Sequence, residues 1–319
     1  MGMGEKLASV AVAAGLLAGV CAMPASSGAA TSPAPPTLVW IAGCYILPST
    51  NAWNTPVDKL PVRSDSATFI AHISTAGHTN LHPDFGGGGA YGIPYMVVPK
   101  TQPLVPIHYT AYGDESDPGP FPIPKNAPIE GGSSSTGDRH VLVLQQGTCH
   151  LFELGRAFWA GNHWNADVGV NWYLKSNAKR PLYWTSADAA GLPILPGLVR
   201  YDEVAAGHID HAVRFTVPST QKGFIFPATH YASSSTNPAL PPMGLRLRLK
   251  ASYSLARFHG QSLVILKALK KYGMIVADNG SSWYITGAVD KRWNDNDLNQ
   301  MKSVPGSAFE VVNTGAIHH

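Results

Sequence analysis

The stretch GLPILPGLVRYDEVAAGHIDHAVRFTVPSTQKGFIFPATHY, residues 191–231, brings strand-like apolar runs together with a dense set of charged side chains. With the period of two that a β-strand imposes, residues 206–217 form a strand with two unlike faces. One face is apolar around a histidine: Ile209, His211, Val213 and Phe215. The other face is polar: His208, Asp210, Ala212, Arg214 and Thr216. A second strand is predicted over residues 223–230.

The polar face of this strand is our first candidate site. Asp210 can orient a neighbouring imidazole, His208 can exchange a proton near neutral pH, and Arg214 can hold an anionic or polyhydroxy ligand. The alternative is a solvated strip of ion pairs. Further candidate catalytic groups flank the strand: Asp202, Glu203 and His230. His211, on the apolar face, is predicted to be a buried structural histidine.

Composition favours a loop-rich β protein. Charged residues make up 13% of the 319 residues, and the chain has 32 glycines and 26 prolines, well above average usage. The net charge of +3 is too small to indicate nucleic-acid binding.

The amino terminus is predicted to be a signal peptide, residues 1–30, followed by a flexible leader, residues 31–43. An apolar run over residues 7–20 follows Lys6 and is too short to span a bilayer. Cleavage after Ala22, cleavage near residues 27–29, and lipidation of Cys21 remain alternatives. We expect a secreted, extracellular or periplasmic protein with no membrane segment after cleavage.

Removing the signal leaves two cysteines, Cys44 and Cys149. In an oxidising compartment such a pair most simply forms a disulfide, and a catalytic thiol is the alternative. Cys149 opens the second strand of a predicted hairpin, residues 139–146 and 149–154, joined at Gly147. Glu153 lies on an apolar face of that hairpin. Burial would raise its pKa, as a general acid requires, unless it pairs with Arg139 or Arg156.

Two further features indicate ligand binding. Residues 156–184 are rich in indoles and amides, which suit a sugar ring, and Trp164 is the candidate platform. The run GLRLRLKA, residues 244–251, alternates leucines with cations, so Arg248 could contact an acidic glycan. Packing of the tryptophan and a solvated strand face are the respective alternatives.

Metal and cofactor signals are weak. His78, His82 and Asp84 have a spacing that could bind a metal, but the surrounding glycines and Pro83 favour a polar loop. Residues 113–137 form a long acidic loop without calcium-loop spacing, which is either solvated or borders a cleft. We expect no metal and no cofactor.

The fold class predicted is mainly β: an antiparallel β-sandwich or jelly-roll-like single domain over residues 44–314, with a small α/β C-terminal portion, residues 258–314. That portion contains a helix over residues 262–272 capped by Gly273, a short helix near residues 294–302 and a last strand over residues 309–312.

Several motifs resemble a family of secreted bacterial proteins known mainly from genome sequences. They are LPGLVRYDEV (residues 195–204), PMG (242–244), ALKKYGM (268–274) and DNGSSWYI (278–285). The similarity covers residues 44–312. It implies secretion and a single unit, and it carries over no catalytic residue.

These features predict a carbohydrate-active enzyme, most plausibly a monomeric glycoside hydrolase acting on a polysaccharide or cell-wall glycan. Such an enzyme needs two carboxyl groups across a cleft. A polysaccharide lyase with His208 or His230 as base is one alternative, and a non-catalytic cell-surface or glycan-binding protein is the other.

Overall fold

The computed structural model describes residues 39–75 and 78–319. The predicted signal peptide and most of the leader lie outside these residues. None of the helices in the described part of the chain has the length and hydrophobicity needed to cross a bilayer.

Strands dominate the secondary structure. They are β1 (Trp40–Ile41), β2 (Cys44–Tyr45), β3 (His82–Asp84), β4 (Tyr95–Val98), β5 (Ile107–Tyr109), β6 (Val141–Gln145), β7 (His150–Gly155), β8 (Phe158–Trp159), β9 (Trp164–Ala166), β10 (Val168–Tyr173), β11 (Val213–Val217), β12 (Arg246–Leu249), β13 (Met274–Asn279), β14 (Tyr284–Thr286) and β15 (Phe309–Val311). The helices are α1 (Ser66–Ile73), α2 (Tyr201–Ala205), α3 (Gly260–Lys271) and α4 (Asp295–Leu298), with short 3₁₀ turns between elements.

The protein is mainly β, with a sandwich-like arrangement and a small α/β C-terminal part. A four-stranded sheet has the order β10-β7-β6-β4, and a six-stranded sheet has the order β15-β12-β13-β11-β14-β3. Small sheets β1-β2 and β5-β9-β8 accompany them. Seven of the pairs in the described residues are antiparallel, and four are parallel: β11 with β13, β14 with β3, β4 with β6, and β5 with β9.

The two larger sheets share one hydrophobic core. Leu142 and Leu144 of β6 pack in the same cluster as Phe215 of β11 and Leu247 of β12. The alternate residues Val141 and Val143 belong to a second cluster, beneath the small β5-β9-β8 sheet. β6 is therefore buried on both faces, as its unbroken apolar run requires.

The predicted hairpin and C-terminal helix are confirmed. β6 pairs with β7 across a turn in which Gly147 has φ +85°. α3 ends just before Gly273, which has φ +68° and whose Cβ, if present, would lie 2.0 Å from the Leu247 carbonyl oxygen. Only glycine suits this position.

The predicted strand over residues 206–217 is wrong in its first half. α2 occupies Tyr201–Ala205, the chain turns at Gly207, and β11 begins only at Val213. Asp202 and Glu203 lie in the first turn of α2, where acidic side chains favour a helix. Residues 223–230 form no named strand, and Phe224 makes only isolated bridges to Met243 and His318.

The Cys44–Cys149 disulfide is confirmed. The two residues are 105 apart in sequence, and their Cα atoms are 5.4 Å apart. The bond ties β2 to the β6–β7 turn, and both cysteines are buried.

Removing this bond is expected to lower the free energy of unfolding by about 2–5 kcal/mol, because it closes a long loop in the unfolded chain. The measurement is denaturant unfolding of Cys44→Ala/Cys149→Ala against the oxidised wild type. Equal midpoints, or free thiols at both positions on peptide mapping, would contradict the prediction.

Candidate functional site

The acidic residues of α2 form ion pairs outside the cavities described below. Asp202 is exposed and pairs with Arg292 at 2.8 Å. Glu203 pairs with Arg200 at 2.6 Å and with His211 at 3.2 Å. Burial raises the pKa of Glu203, but these cations outweigh it and lower the pKa. Both positions are structural, and neither supports the predicted catalytic role.

His208 and Asp210 also lie apart from these cavities. His208 Nδ1 is 2.9 Å from Asp210 Oδ2, and the His208 side chain is 56% exposed. Asp210 accepts a hydrogen bond from the Tyr272 hydroxyl. Because both residues precede β11, they do not share a strand face with Arg214. The predicted polar strand face is therefore replaced by a contact between His208 and Asp210 alone. His211 is 1% exposed, which confirms its prediction as a buried histidine.

Glu153 is sealed in the core. Its carboxylate accepts hydrogen bonds from the backbone N–H groups of Ile194 and Leu195 and from the Trp172 indole N–H. Burial raises its pKa to about 7, as the sequence predicts for a buried carboxyl. Its partners are amides and an indole rather than either of the arginines considered, and its position gives it a structural role.

Trp164 and Arg248 are also held by the fold. Trp164 is fully buried, and its indole donates to the Ile123 carbonyl, so no sugar can stack on it. Arg248 donates to Glu310 and to the carbonyls of Val57 and Leu60. The segment containing those carbonyls covers this face of β12, so the predicted cationic strip is not free.

A different cluster assembles on the polar face of the six-stranded sheet. A bulge after Phe215 pairs Thr216 with Asp278 of β13 and skips Ala277. Paired residues point to the same side of a sheet, and Arg214 lies two positions from Thr216. The bulge therefore puts Asp278 on the same face as Arg214, a device common beside functional sites.

Arg214 is anchored rather than free. Its Nε and Nη2 donate to the two carboxylate oxygens of Asp188, at 3.1 and 2.9 Å, and Nη1 donates to the Thr286 hydroxyl. Arg214 is 4% exposed, and the Asp188 side chain is completely buried. The charge of Asp188 outweighs burial and raises the pKa of Arg214. Asp278 Oδ2 lies 3.9 Å from Arg214 Nη2.

Asp278 has the properties of a proton donor. Burial, and next the charge of Asp188, raise its pKa to about 7 against the opposing effect of Arg214. Its side chain is 25% exposed, so it reaches solvent while its ionised form is disfavoured.

A histidine–glutamate pair from the segment that leads into β6 lines the same cavity as Asp278. His140, just before β6, places Nδ1 2.6 Å from Glu130 Oε2 and Nε2 2.8 Å from the Ala187 carbonyl. Burial lowers the pKa of His140, but its bond to Glu130 outweighs burial and raises the pKa to about 9. For Glu130, burial raises the pKa, but the hydrogen bond and charge of His140 outweigh burial, so the pKa of Glu130 is lowered. The pair is therefore imidazolium and carboxylate at neutral pH.

These groups meet in two adjoining cavities. The central cavity, of about 250 Å³, is lined by Asp84, Glu130, His140, Arg214 and Asp278 among others. The second cavity, of about 230 Å³, shares Asp138, His140 and Asp278 with it and is also lined by His230. We call the second one the His230 cavity. Of the nine predicted binding and catalytic residues, only Arg214 and His230 line these cavities.

Asp84 adds a third carboxyl to the central cavity. It ends β3 and pairs with Thr286 of β14, next to Arg214 on the same face. Burial and then the charge of Glu130 raise its pKa.

Sequence signals for this site were present but scattered. Asp84 belongs to the weak metal-like motif, Glu130 to the long acidic loop, and Asp278 to the end of a strand in DNGSSWYI. His140 and Asp188 carry no local signature. Within residues 39–75 and 78–319, no group of histidine, cysteine and acidic side chains has the arrangement of a metal site.

Comparison with known proteins adds no assignment: no protein-family model, curated protein or solved structure matches this chain.

Proposed function

We propose that this protein is a glycoside hydrolase with Asp278 as general acid and Glu130 as the ionised carboxylate that acts as base or nucleophile. The observation that carries the proposal is the pairing of two carboxyls with opposed protonation in one cavity. Burial and Asp188 favour the protonated form of Asp278, whereas His140 favours the ionised form of Glu130. Such divergent environments are typical of an acid and its partner carboxylate in glycoside hydrolysis.

In this reaction the Asp278 proton goes to the glycosidic oxygen as its bond to the anomeric carbon breaks. Glu130 either takes a proton from the attacking water or attacks the anomeric carbon itself, in which case water then releases the sugar. His140 bonds Glu130 through Oε2, so Oε1 is not used in that pair. Arg214, itself fixed by Asp188, lies 3.9 Å from Asp278 and gives it a charged environment.

Within the central cavity, the same contacts argue against a polysaccharide lyase. A lyase needs a neutral base and a free cation for the uronate. His140 is held as a cation by Glu130, and Arg214 is already engaged by both oxygens of Asp188. A purely binding module would not need a carboxyl whose pKa is raised to about 7.

The pH dependence of kcat/KM is expected to be bell-shaped. Activity should fall as pH rises through about 7, because Asp278 loses the proton that it donates. It should also fall at acidic pH below about 4.5, the ordinary pKa of Glu130, because that carboxylate gains a proton. Initial rates on a glycan substrate from pH 3 to 9 test this. Asp210→Asn, which alters a carboxylate outside the site, should leave the profile unchanged. A wild-type rate that does not change between pH 6 and pH 9 would contradict the assignment.

The experiment that tests the proposed function is a screen of the purified protein against a panel of neutral, amino-sugar and uronic-acid polysaccharides. New reducing ends without an unsaturated-uronate chromophore support hydrolysis. Reducing ends together with that chromophore indicate a lyase, and binding without products indicates a glycan-binding protein.

A further inference from the structure

The central cavity adjoins a third cavity, which shares no lining residue with the His230 cavity. This third cavity, of about 390 Å³, is lined by His82, Asp84, Tyr284 and Lys302 among others. It shares Asp84 and Tyr284 with the central cavity. We call it the tyrosine cavity. The proposed acid and carboxylate therefore lie in the middle of three cavities that adjoin in series.

A site with binding space on both sides suits the interior of a polymer chain. An enzyme that removes terminal residues needs a pocket closed on one side, whereas a chain cut internally must continue in both directions. Pockets for drug-sized ligands begin at about 300 Å³; two of the cavities are smaller than this, and the third, of about 390 Å³, lies near the lower end of the range. Each cavity is thus suited to a small unit of a repeating chain.

The tyrosine cavity contains an uncharged aromatic stack. The rings of His82 and Tyr284 are 4.1 Å apart with 9° between their planes, and both side chains are half-buried. Burial, with the nearby Lys302, lowers the pKa of His82 to about 4, so its ring is neutral at physiological pH. A neutral ring face is the surface on which the C–H face of a sugar stacks.

Tyr284 lies at the junction with the central cavity. In the sheet it pairs with Thr216, which pairs in turn with Asp278, so Tyr284 is two strand spacings, roughly 10 Å, from Asp278. This distance places the aromatic stack beside the reacting bond rather than at a remote part of the surface.

The charges along the three cavities disfavour an acidic chain. Their described lining includes six carboxyl groups, of which Asp278 is the proposed proton donor: Asp84, Glu130, Asp138, Asp167, Asp278 and Asp295. The cations of the lining are fewer: His140, Arg156, Arg214 and Lys302. His140, Arg156 and Arg214 are each already paired with a carboxylate. A row of uronates would meet more like charge than opposite charge.

We infer that the enzyme cuts a non-anionic polysaccharide, of neutral or amino sugars, at internal bonds, and that Tyr284 stacked on His82 forms the sugar-binding subsite next to the reacting bond. This inference rests on the proposed hydrolase function.

The test combines viscosity with kinetics. On its preferred polysaccharide the wild type should lower viscosity early, while few reducing ends have formed, and polyuronates should be the poorest substrates. Tyr284→Ala should lower kcat/KM on the polymer about 3- to 10-fold, mainly through KM, the effect of losing one stacking contact. Tyr284→Phe should retain most of the wild-type kcat/KM, because the aromatic ring remains.

Tyr173→Ala is the matched control, since Tyr173 is a 47%-exposed tyrosine on the four-stranded sheet. If no glycan yields new reducing ends, both the hydrolase proposal and this inference are overturned. Hydrolysis that leaves viscosity high, favours polyuronates, or responds equally to Tyr284→Ala and Tyr173→Ala would overturn the inference alone.

Discussion

Asp278→Asn is expected to lower kcat/KM on a natural glycan by about 10²- to 10⁴-fold, the range that general acid catalysis contributes. Asparagine has nearly the shape of aspartic acid but cannot transfer its proton to the leaving oxygen. Asp210→Asn is the matched control, because Asp210 is also a partly buried aspartate, and it lies outside the three cavities in contact with His208. Retention of more than half of the wild-type rate by Asp278→Asn would overturn the assignment.

The loss should depend on the leaving group. A substrate whose leaving group departs without protonation does not need the acid, so Asp278→Asn should retain much more of its activity on an activated aryl glycoside. Glu130→Gln removes the negative charge opposite the anomeric carbon and should lose activity on both substrates. Equal behaviour of the two variants would contradict the division of roles.

The stability of Asp278→Asn provides a second readout. The pKa of Asp278 is raised from 3.8 to about 7 in the folded state, so the stabilisation from its bound proton is complete below about 3.8 and is lost as pH rises through 7. Asparagine does not ionise. The variant should therefore melt at an equal or higher temperature than the wild type at pH 8, which separates loss of catalysis from loss of folding.

Arg214→Met is expected to lower the free energy of unfolding by about 3–5 kcal/mol, the usual result of breaking a buried ion pair. Asp188 would remain completely buried without the two hydrogen bonds that it now accepts from Arg214. The measurement is denaturant unfolding at pH 7.

Two comparisons make this prediction specific. The double variant Arg214→Met/Asp188→Leu should recover much of the stability, because it removes both charges together. Arg292→Met, which breaks pairs made by a half-exposed arginine, should leave the unfolding midpoint unchanged. Equal stability of Arg214→Met and Arg292→Met would show that the buried pair is not important for folding.

Several elements were predictable from local sequence. The β6–β7 hairpin follows from alternation and the glycine turn, α3 from its apolar spacing and Gly273, and the disulfide from two cysteines in the predicted mature chain. The buried state of His211 follows from its apolar neighbours. The interactions that determine the hairpin, the helix and the burial of His211 lie within a few residues in sequence. For the disulfide, each cysteine of the predicted mature chain has only one other cysteine to pair with.

The candidate site depended on tertiary structure, because its groups come from distant segments. Glu130 comes from a loop and His140 from the residue before β6, whereas Arg214 and Asp278 lie in the six-stranded sheet. Periodicity alone placed His208, Asp210 and Arg214 on one strand face, but α2 and the turn at Gly207 removed the first two. The bulge that skips Ala277 selects the face of Asp278, and it arises from pairing between strands about 60 residues apart. A local pattern specifies which side chains favour burial, whereas only the packed sheets decide which charged groups share a cavity.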